Sequence, residues 1–336
     1  MKKVIVTGAT GFIGTNVVNE LCLKGIEVIA IVRRGSRNIY KLDRYNIRII
    51  ECDLCEIQSL AEKINDRDID TIYHFMWQGV SNKDQKNEKI QIFNIMTTLN
   101  LIDVAYKLGV KKFIGSGSIH EIEVIREMSN NKRVSDLKIM YKSSKLAAHY
   151  MGKVKAGAYG IKFLWPIIIN AYGPGEESER LINTVIRKLL RGQSIDLSEG
   201  NQLYDFVHVV DVARAFRLLG EKGNDGMNYT IGSGNPKPLK EYLQTVENVI
   251  SSYINSEETQ LRFGHKNGNV VFLSEEDFSI ESISHDTGYM PSISFEEGIE
   301  KVVAWYYKYM YGGGYKIIKI IVLLYITFYK KEYFYV

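Results

Sequence analysis

Thr7-Gly8-Ala9-Thr10-Gly11-Phe12-Ile13-Gly14 is the stretch that decides the fold. It follows a short apolar run, Val4 to Thr7, and opens a segment, Phe12 to Lys24, in which Ile13, Val17, Val18 and Leu21 recur at helical spacing. Strand, glycine-rich turn and helix, in that order, are the context in which such a triplet cradles a dinucleotide's diphosphate. Gly8 permits the tight turn, Gly11 lets the backbone approach the phosphates, and Gly14 lets the helix pack close on the strand. The helix start adds free N–H groups and the positive end of its dipole. A dinucleotide site is therefore expected on Gly8, Thr10, Gly11, Phe12, Ile13 and Gly14.

Outward from this turn the pattern repeats. Glu27 to Val32, Ile47 to Glu51, Thr71 to Phe75, Phe113 to Ser116 and Lys162 to Ile169 read as strands. Leu60 to Ile64, Lys86 to Leu108 and Ile139 to Val154 read as helices between them. The β-α-β-α order implies an α/β fold, a doubly wound parallel sheet with helices on both faces. After Gly173 the pattern loosens into a smaller α/β lobe, with helices at Ile182 to Leu190, Val212 to Leu219, Leu239 to Ile250 and Phe295 to Tyr307, and a strand at Asp205 to Val209. Residues 1–172 are expected to form the dinucleotide-binding domain, with about 203–232 returning to it. Residues 173–310 mainly form the substrate lobe, and 311–336 are an apolar and basic tail.

Composition narrows the function classes. Over 336 residues, 45% are hydrophobic and 24% charged, which excludes a disordered chain and a collagen-like fibre. Forty-three basic against 39 acidic residues leave a net charge of +4, too balanced for a nucleic-acid partner. Three cysteines, Cys22, Cys52 and Cys55, cannot all pair, so no disulfide framework is expected. Cys52 and Cys55 form a lone CxxC without a second ligand pair, and no metal site is expected. Lys2 and Lys3 precede an apolar run too short for a signal sequence, which points to the cytoplasm. The tail run from Ile317, with Lys316, Lys319, Lys330 and Lys331 about it, reads either as an extension packed on the protein or as a peripheral membrane contact.

Further patterns carry chemistry. Val32 ends the second strand where an NAD site usually has an acid, and Arg33 and Arg34 follow, so NADP is favoured with NAD as the other option. Asp53, after the third strand, can reach the adenine amino group. Tyr141 and Lys145 share one helix face at i, i+4, where an ammonium favours the phenolate. Ser118 lies just past the fifth strand, at the carboxyl edge where ligands bind. His120 and Glu121 are close enough to Ser118 for a second acid/base role or for shaping the pocket, whereas His74 reads as a satisfied core histidine.

Together, TGATGFIG (Thr7–Gly14), Asp53-Leu54, Asn94, FIGSGS (Phe113–Ser118), YKSSK (Tyr141–Lys145), NAYGPG (Asn170–Gly175), YDFVHVVDVARA (Tyr204–Ala215) and SFEEGI (Ser294–Ile299) resemble the extended short-chain dehydrogenase/reductases. Within them the likeness is to the NAD(P)-dependent epimerase/dehydratase family acting on nucleotide sugars, over residues 1 to about 308. The resemblance implies a Rossmann fold, Tyr141 as acid/base, Lys145 on the nicotinamide ribose, and Ser118 on the reacting oxygen. It also implies a cofactor lined by Leu54, Phe75, Met76, Asn94 and Ser116, a wall at Trp77-Gln78-Gly79, a structural His208, and a homodimer. Asn170 would face the substrate's phosphates, with His120 and Arg180 beside the substrate.

The chain also departs from the pattern. Ile119 and His120 stand where hexose dehydratases carry an Asp-Glu pair, Ile122-Glu123 replace Tyr-Gly, and Tyr204 replaces the arginine before Asp205-Phe206. No arginine near Phe263 to Val270 matches the family's second diphosphate contact; Arg180, Arg187 or Lys266 would have to substitute. The expected activity is NADPH-dependent reduction of a 4-keto nucleotide sugar, with an NAD-dependent 4-epimerase, or a non-catalytic dinucleotide-binding regulator, as alternatives.

Overall fold

The runs Val4 to Thr7, Val28 to Val32 and Thr71 to His74 form strands buried on both faces, the pattern of a parallel sheet covered by helices. The computed structural model describes residues 1–43, 47–81, 83–129, 136–254, 260–266 and 272–311. In chain order the first elements are β1 (Lys3–Thr7), α1 (Phe12–Leu23), β2 (Glu27–Val32), β3 (Arg48–Glu51), α2 (Leu60–Lys63), β4 (Thr71–His74), α3 (Glu88–Lys107), β5 (Lys112–Gly115), β6 (Gly117–Ser118) and α4 (Ile119–Ser129). Then come α5 (Ile139–Ala158), β7 (Lys162–Leu164), β8 (Ile167–Ile168), β9 (Asn170–Tyr172), α6 (Leu181–Leu190), β10 (Ile195–Asp196), β11 (Leu203–Tyr204), β12 (Phe206–His208) and α7 (Val209–Lys222). Last are β13 (Thr230–Ile231), β14 (Lys237–Pro238), α8 (Leu239–Ser251), β15 (Leu261–Arg262), α9 (Glu281–Thr287) and α10 (Phe295–Tyr311).

Six strands make one parallel sheet in the order β3-β2-β1-β4-β5-β7. The order reverses between β1 and β4, the switch point beyond whose carboxyl ends ligands bind in such sheets. Alternation along the strands divides the core. Val4, Val6, Val28 and Ala30 pack with Val17, Val18 and Leu21 of α1 and Val212, Phe216 and Leu219 of α7. Ile5, Ile29 and Ile31 face the other way, onto Leu101, Ile102 and Ala105 of α3 and Ala148 and Ala156 of α5. Each fully buried Val, Leu, Ile or Phe side chain among these contributes about 1.5–3 kcal/mol.

The doubly wound sheet is as expected, with two local corrections. The strand expected over Lys162 to Ile169 is broken: β7 stays in the main sheet, while β8 joins β13 and β6 in a separate three-stranded sheet. Pro166 lies at the break, has no N–H for a ladder, and accepts from Gly117 N–H at 2.9 Å. Helix α4 was not anticipated, and it lies directly beside the site.

The chain divides into two compact units. The first holds 1–172, 201–239 and a stretch that runs to Ile293; the second holds 173–200, 240–267 and the chain from Ser294. In the second unit α6 packs with α10, and Tyr306 donates its hydroxyl to the Glu176 carbonyl at 2.8 Å. The tail assigned to 311–336 lies outside the described residues but for the end of α10. Among the described residues no helix is long and apolar enough to cross a membrane.

Candidate active site

Pairing in register brings the ends of β1, β4 and β5 side by side: Thr7 lies opposite His74, and His74 opposite Gly115. The residues that follow, Gly8, Phe75 and Ser116, therefore emerge together at one edge. His74 is locked beneath them, with Thr7 Oγ1 and Thr98 Oγ1 each 3.0 Å from its ring nitrogens. Burial, helped by the nearby Lys145 charge, lowers its pKa to about 3, so it is a neutral core histidine.

The glycine turn is bare backbone. Gly8 sits at φ +67°, and a Cβ there would lie 2.7 Å from Met76 N. A Cβ on Gly14 would lie 2.2 Å from the Gly8 carbonyl oxygen. No side chain caps α1, and its first turn holds no acidic residue. Its leading N–H groups are thus left for an anionic ligand with no carboxylate in competition. These residues fit a dinucleotide's diphosphate. Thr10 lies at the turn, its hydroxyl 3.3 Å from that of Ser36.

At the end of β2 the two arginines differ. Arg34 is paired with Glu56 at 2.9 Å, and its backbone N–H donates to Asp53 Oδ1 at 3.2 Å. The Arg33 side chain is exposed and makes no ion pair among the described residues. Arg33 is thus the guanidinium available to a ribose phosphate. Asp53 is engaged in the same loop, and Leu54 follows it at the start of a short 3₁₀ turn. Cys52 is buried, Cys55 exposed, and both are free thiols.

The wall after β4 is held from α3. Asn94 accepts from Gln78 N–H at 2.9 Å and donates to the Gln78 carbonyl at 2.8 Å. Its amide therefore grips the loop, so Asn94 shapes the cofactor side through Gln78. Gln91, which sequence reasoning missed, anchors the same loop. Its Oε1 accepts from Trp77 Nε1 and from Ser144 Oγ, both at 3.2 Å, and its Nε2 donates to the Gly79 carbonyl at 3.1 Å. The signal was present: Gln91, Asn94 and Thr98 fall at i, i+3 and i+7 on the face of α3 that Leu101 and Ala105 continue.

Tyr141 and Lys145 are both buried on α5. Lys145 Nζ donates to the Ser116 carbonyl at 2.9 Å and lies 3.7 Å from the centre of the Trp77 ring. Burial pushes its pKa down to about 7, against the pull of the Glu121 charge. The Tyr141 ring meets Trp77 and His120 edge to face, at 6.3 and 6.0 Å between centroids. Ser118 ends β6, and its Oγ accepts from His120 N–H at 3.4 Å. The fold thus gathers Ser116, Ser118, His120, Tyr141, Lys145 and Trp77 around one spot.

Helix α4 supplies two carboxylates, Glu121 and Glu123. Glu121 is buried and fully engaged: Oε1 accepts from Ser118 N–H at 2.9 Å and Trp165 Nε1 at 3.1 Å, and Oε2 lies 3.0 Å from His149 Nδ1. It braces the site and is not the acid/base considered beside His120. Glu123 lies 2.7 Å from His120 Nδ1 and 2.8 Å from Lys142 Nζ. Burial opposes its ionisation, but the His120 contact and the Lys142 charge bring its pKa down to about 2. Ile119, at the first dehydratase position, is buried with Ile169 and Phe278.

Asn170 donates to the Asp205 carbonyl at 3.0 Å, so its amide has a structural partner. Asp205, wholly buried, accepts from Ser233 N–H at 2.7 Å and Gly234 N–H at 3.2 Å and fixes that turn. His208 caps α7 by accepting from Val210 N–H at 3.3 Å. Arg180 lies in the second unit, exposed, with Glu176 at 3.9 Å. Among the described residues no group of three His, Cys, Asp or Glu is placed to hold a metal ion.

A switch-point glycine turn with a Tyr-x-x-x-Lys helix and a serine beside it defines a nicotinamide-dinucleotide enzyme of the extended short-chain dehydrogenase/reductase type. The chain belongs to the NAD dependent epimerase/dehydratase family, whose model matches residues 4–232. A putative UDP-glucose 4-epimerase of Methanocaldococcus jannaschii is 26% identical, covering 90% of this chain and 97% of that protein. The solved UDP-N-acetylglucosamine 4-epimerase of Methanobrevibacter ruminantium is similar at a TM-score of 0.75 and 23% identity, covering 92% of this chain and 99% of that one. A dTDP-glucose 4,6-dehydratase from Streptomyces venezuelae is similar at 0.74 and 23%, covering 92% and 98%.

Proposed function

We propose that this enzyme reduces the 4-keto group of a sugar carried on a nucleoside diphosphate, with NADP(H) as preferred cofactor. The observation that carries the reading is the buried Tyr141–Lys145 pair next to Ser118, with no free carboxylate pair behind the serine. Ile119 is apolar and Glu121 is spent on Ser118, Trp165 and His149, which argues against removal of water across C5 and C6.

The bound nicotinamide supplies the hydride. Ser118 Oγ polarises the C4 carbonyl, and Tyr141 delivers the proton to O4. Lys145 holds the nicotinamide ribose and stabilises the phenolate that Tyr141 leaves behind. For this it exchanges its Ser116 contact for the ribose. Arg33 takes the ribose 2′-phosphate, while Arg34 stays on Glu56. The nucleotide-sugar class rests on the family and on the names of its relatives. Asn170 is the candidate for the diphosphate side. Exposed apolar residues on α3 and α5, among them Ile92, Met96, Tyr150, Met151 and Val154, support a homodimer through those helices.

Mixing the enzyme with UDP-, dTDP-, CDP- and GDP-linked 4-keto-6-deoxyhexoses and following NADPH absorbance tests this. One NADPH consumed per sugar, abolished in Tyr141→Phe, is expected. The second reading, a 4-epimerase using retained NAD, is favoured by the two epimerase relatives. Inversion of a UDP-hexose with no net cofactor change would establish it and displace the reductase.

A further inference from the structure

Trp77 touches both members of the Tyr141–Lys145 pair. Its indole face lies 3.7 Å from Lys145 Nζ at the ring centre, and the Tyr141 ring stands edge to face on it at 6.3 Å. Helix α5 carries both partners, but the indole arrives from the loop after β4 and is held there by α3. Its Nε1 donates to Gln91 Oε1 at 3.2 Å, and that oxygen also accepts from Ser144 Oγ at 3.2 Å and from Asn94 Nδ2 at 3.4 Å. Gln91 Nε2 donates to the Gly79 carbonyl at 3.1 Å and the Asp84 carbonyl at 3.2 Å. Three donors on the oxygen and two carbonyls on the nitrogen leave the Gln91 amide a single orientation. Gln91 is 2% exposed, so water does not compete for these bonds.

A buried ammonium needs partners for its charge and for its three N–H groups. Among the described residues Lys145 has one hydrogen-bond acceptor, the Ser116 carbonyl at 2.9 Å. An aromatic face answers the remaining charge, because the ring quadrupole is negative there. Glu121 of α4 adds a favourable charge, His74 of β4 is neutral, and Gln91 of α3 is uncharged. We propose that Trp77, clamped by Gln91, is a positioning residue for this enzyme: its π face holds the Lys145 ammonium in place beside Tyr141. Gln91 acts through Trp77. The role is separate from lining the cofactor, and it applies to reduction and to epimerisation alike.

The test uses full-length enzyme and NADH, whose phosphates do not titrate between pH 5 and pH 9, with affinity read by nucleotide fluorescence across that range. It needs no sugar substrate, so it stands whichever reaction the enzyme runs. The ammonium donates to ribose oxygens and attracts the anionic cofactor, so affinity should fall as pH rises through about 7, where burial places the Lys145 titration. Lys145→Met should abolish that limb. Trp77→Met encloses the charge in apolar surface without a π face. It should move the limb down by about one pH unit, the size expected when a desolvated cation–π contact is lost. Trp77→Phe keeps a face and should leave the limb near its wild-type position. Gln91→Met frees the indole and should move the limb in the same direction by less. Weaker binding by Trp77→Met with the limb unmoved makes the indole a wall of the cofactor site only, and overturns the proposal. A limb that moves up overturns it too, since water then serves the charge better than the ring does. So does a wild-type affinity with no limb that depends on Lys145. Should Trp77→Met not fold, Gln91→Met decides alone, an unmoved limb again overturning the claim.

Discussion

Lys145 gives the sharpest quantitative expectation. Its ammonium is enclosed by the Trp77 ring at 3.7 Å, the Trp165 ring at 5.7 Å and the Ser116 carbonyl, and burial takes its pKa from 10.5 to about 7. Above pH 7 the folded protein therefore holds less of this proton than the unfolded chain, and stability rises with pH until the unfolded lysine also titrates. Between pH 7 and pH 9 the unfolded lysine stays charged while the folded one loses its remaining half proton. Integrating the linkage over that window gives a gain of about 2 kcal/mol. Lys145→Met keeps the apolar stem and removes the titration. Urea unfolding of the cofactor-free protein at pH 7, 8 and 9 should show wild type gaining on the variant by about that amount. The variant should be the more stable of the two at pH 7, while losing turnover and cofactor affinity. Comparing the two proteins cancels the thiols of Cys22 and Cys52, whose pKa values, raised by desolvation, act in the opposite sense over this range. Parallel stability curves for the two proteins, or a variant less stable at every pH, would refute the claim that burial of this charge opposes folding.

Tyr141→Phe should lower turnover by about 10²- to 10⁴-fold with dinucleotide affinity nearly unchanged, measured by steady-state kinetics and fluorescence titration. Arg33→Ala should erase the preference for NADP over NAD, whereas Arg34→Ala, which leaves Glu56 paired with Lys63, should leave most of it; equal NADP and NAD affinity in wild type would refute the arginine reading. Gly14→Ala should abolish dinucleotide binding and lower the melting temperature, because the added Cβ would lie 2.2 Å from the Gly8 carbonyl oxygen; tight binding by the variant would contradict this turn geometry. Asp205→Ala should cost about 1–3 kcal/mol in urea unfolding, since it removes the acceptor that holds the N–H groups of Ser233 and Gly234, each hydrogen bond contributing about 0.5–1.5 kcal/mol.

The fold was legible because its signals are local. Glycines 8, 11 and 14 sit between a β-branched run and an amphipathic segment, and the alternation of strand and helix leaves one economical winding. Tyr141, Lys145 and Ser118 were likewise readable, because a helix face and a strand end follow from spacing alone. What the sequence could not decide is partnership. Arg33 and Arg34 are adjacent and chemically identical, yet Glu56, from the far side of β3, occupies one and leaves the other exposed. Glu121 and Glu123 look equivalent two residues apart, but helical rotation turns the first into the core beside Trp165 and His149 and the second onto His120 and Lys142. The sequence pairs Lys145 with Tyr141, but the covering of its charge comes from Trp77, brought in from the end of β4. Spacing along a chain sets which way a side chain points; whether it meets a carboxylate, a ring or water depends on segments far away in sequence, and those neighbours decide charge state and tautomer.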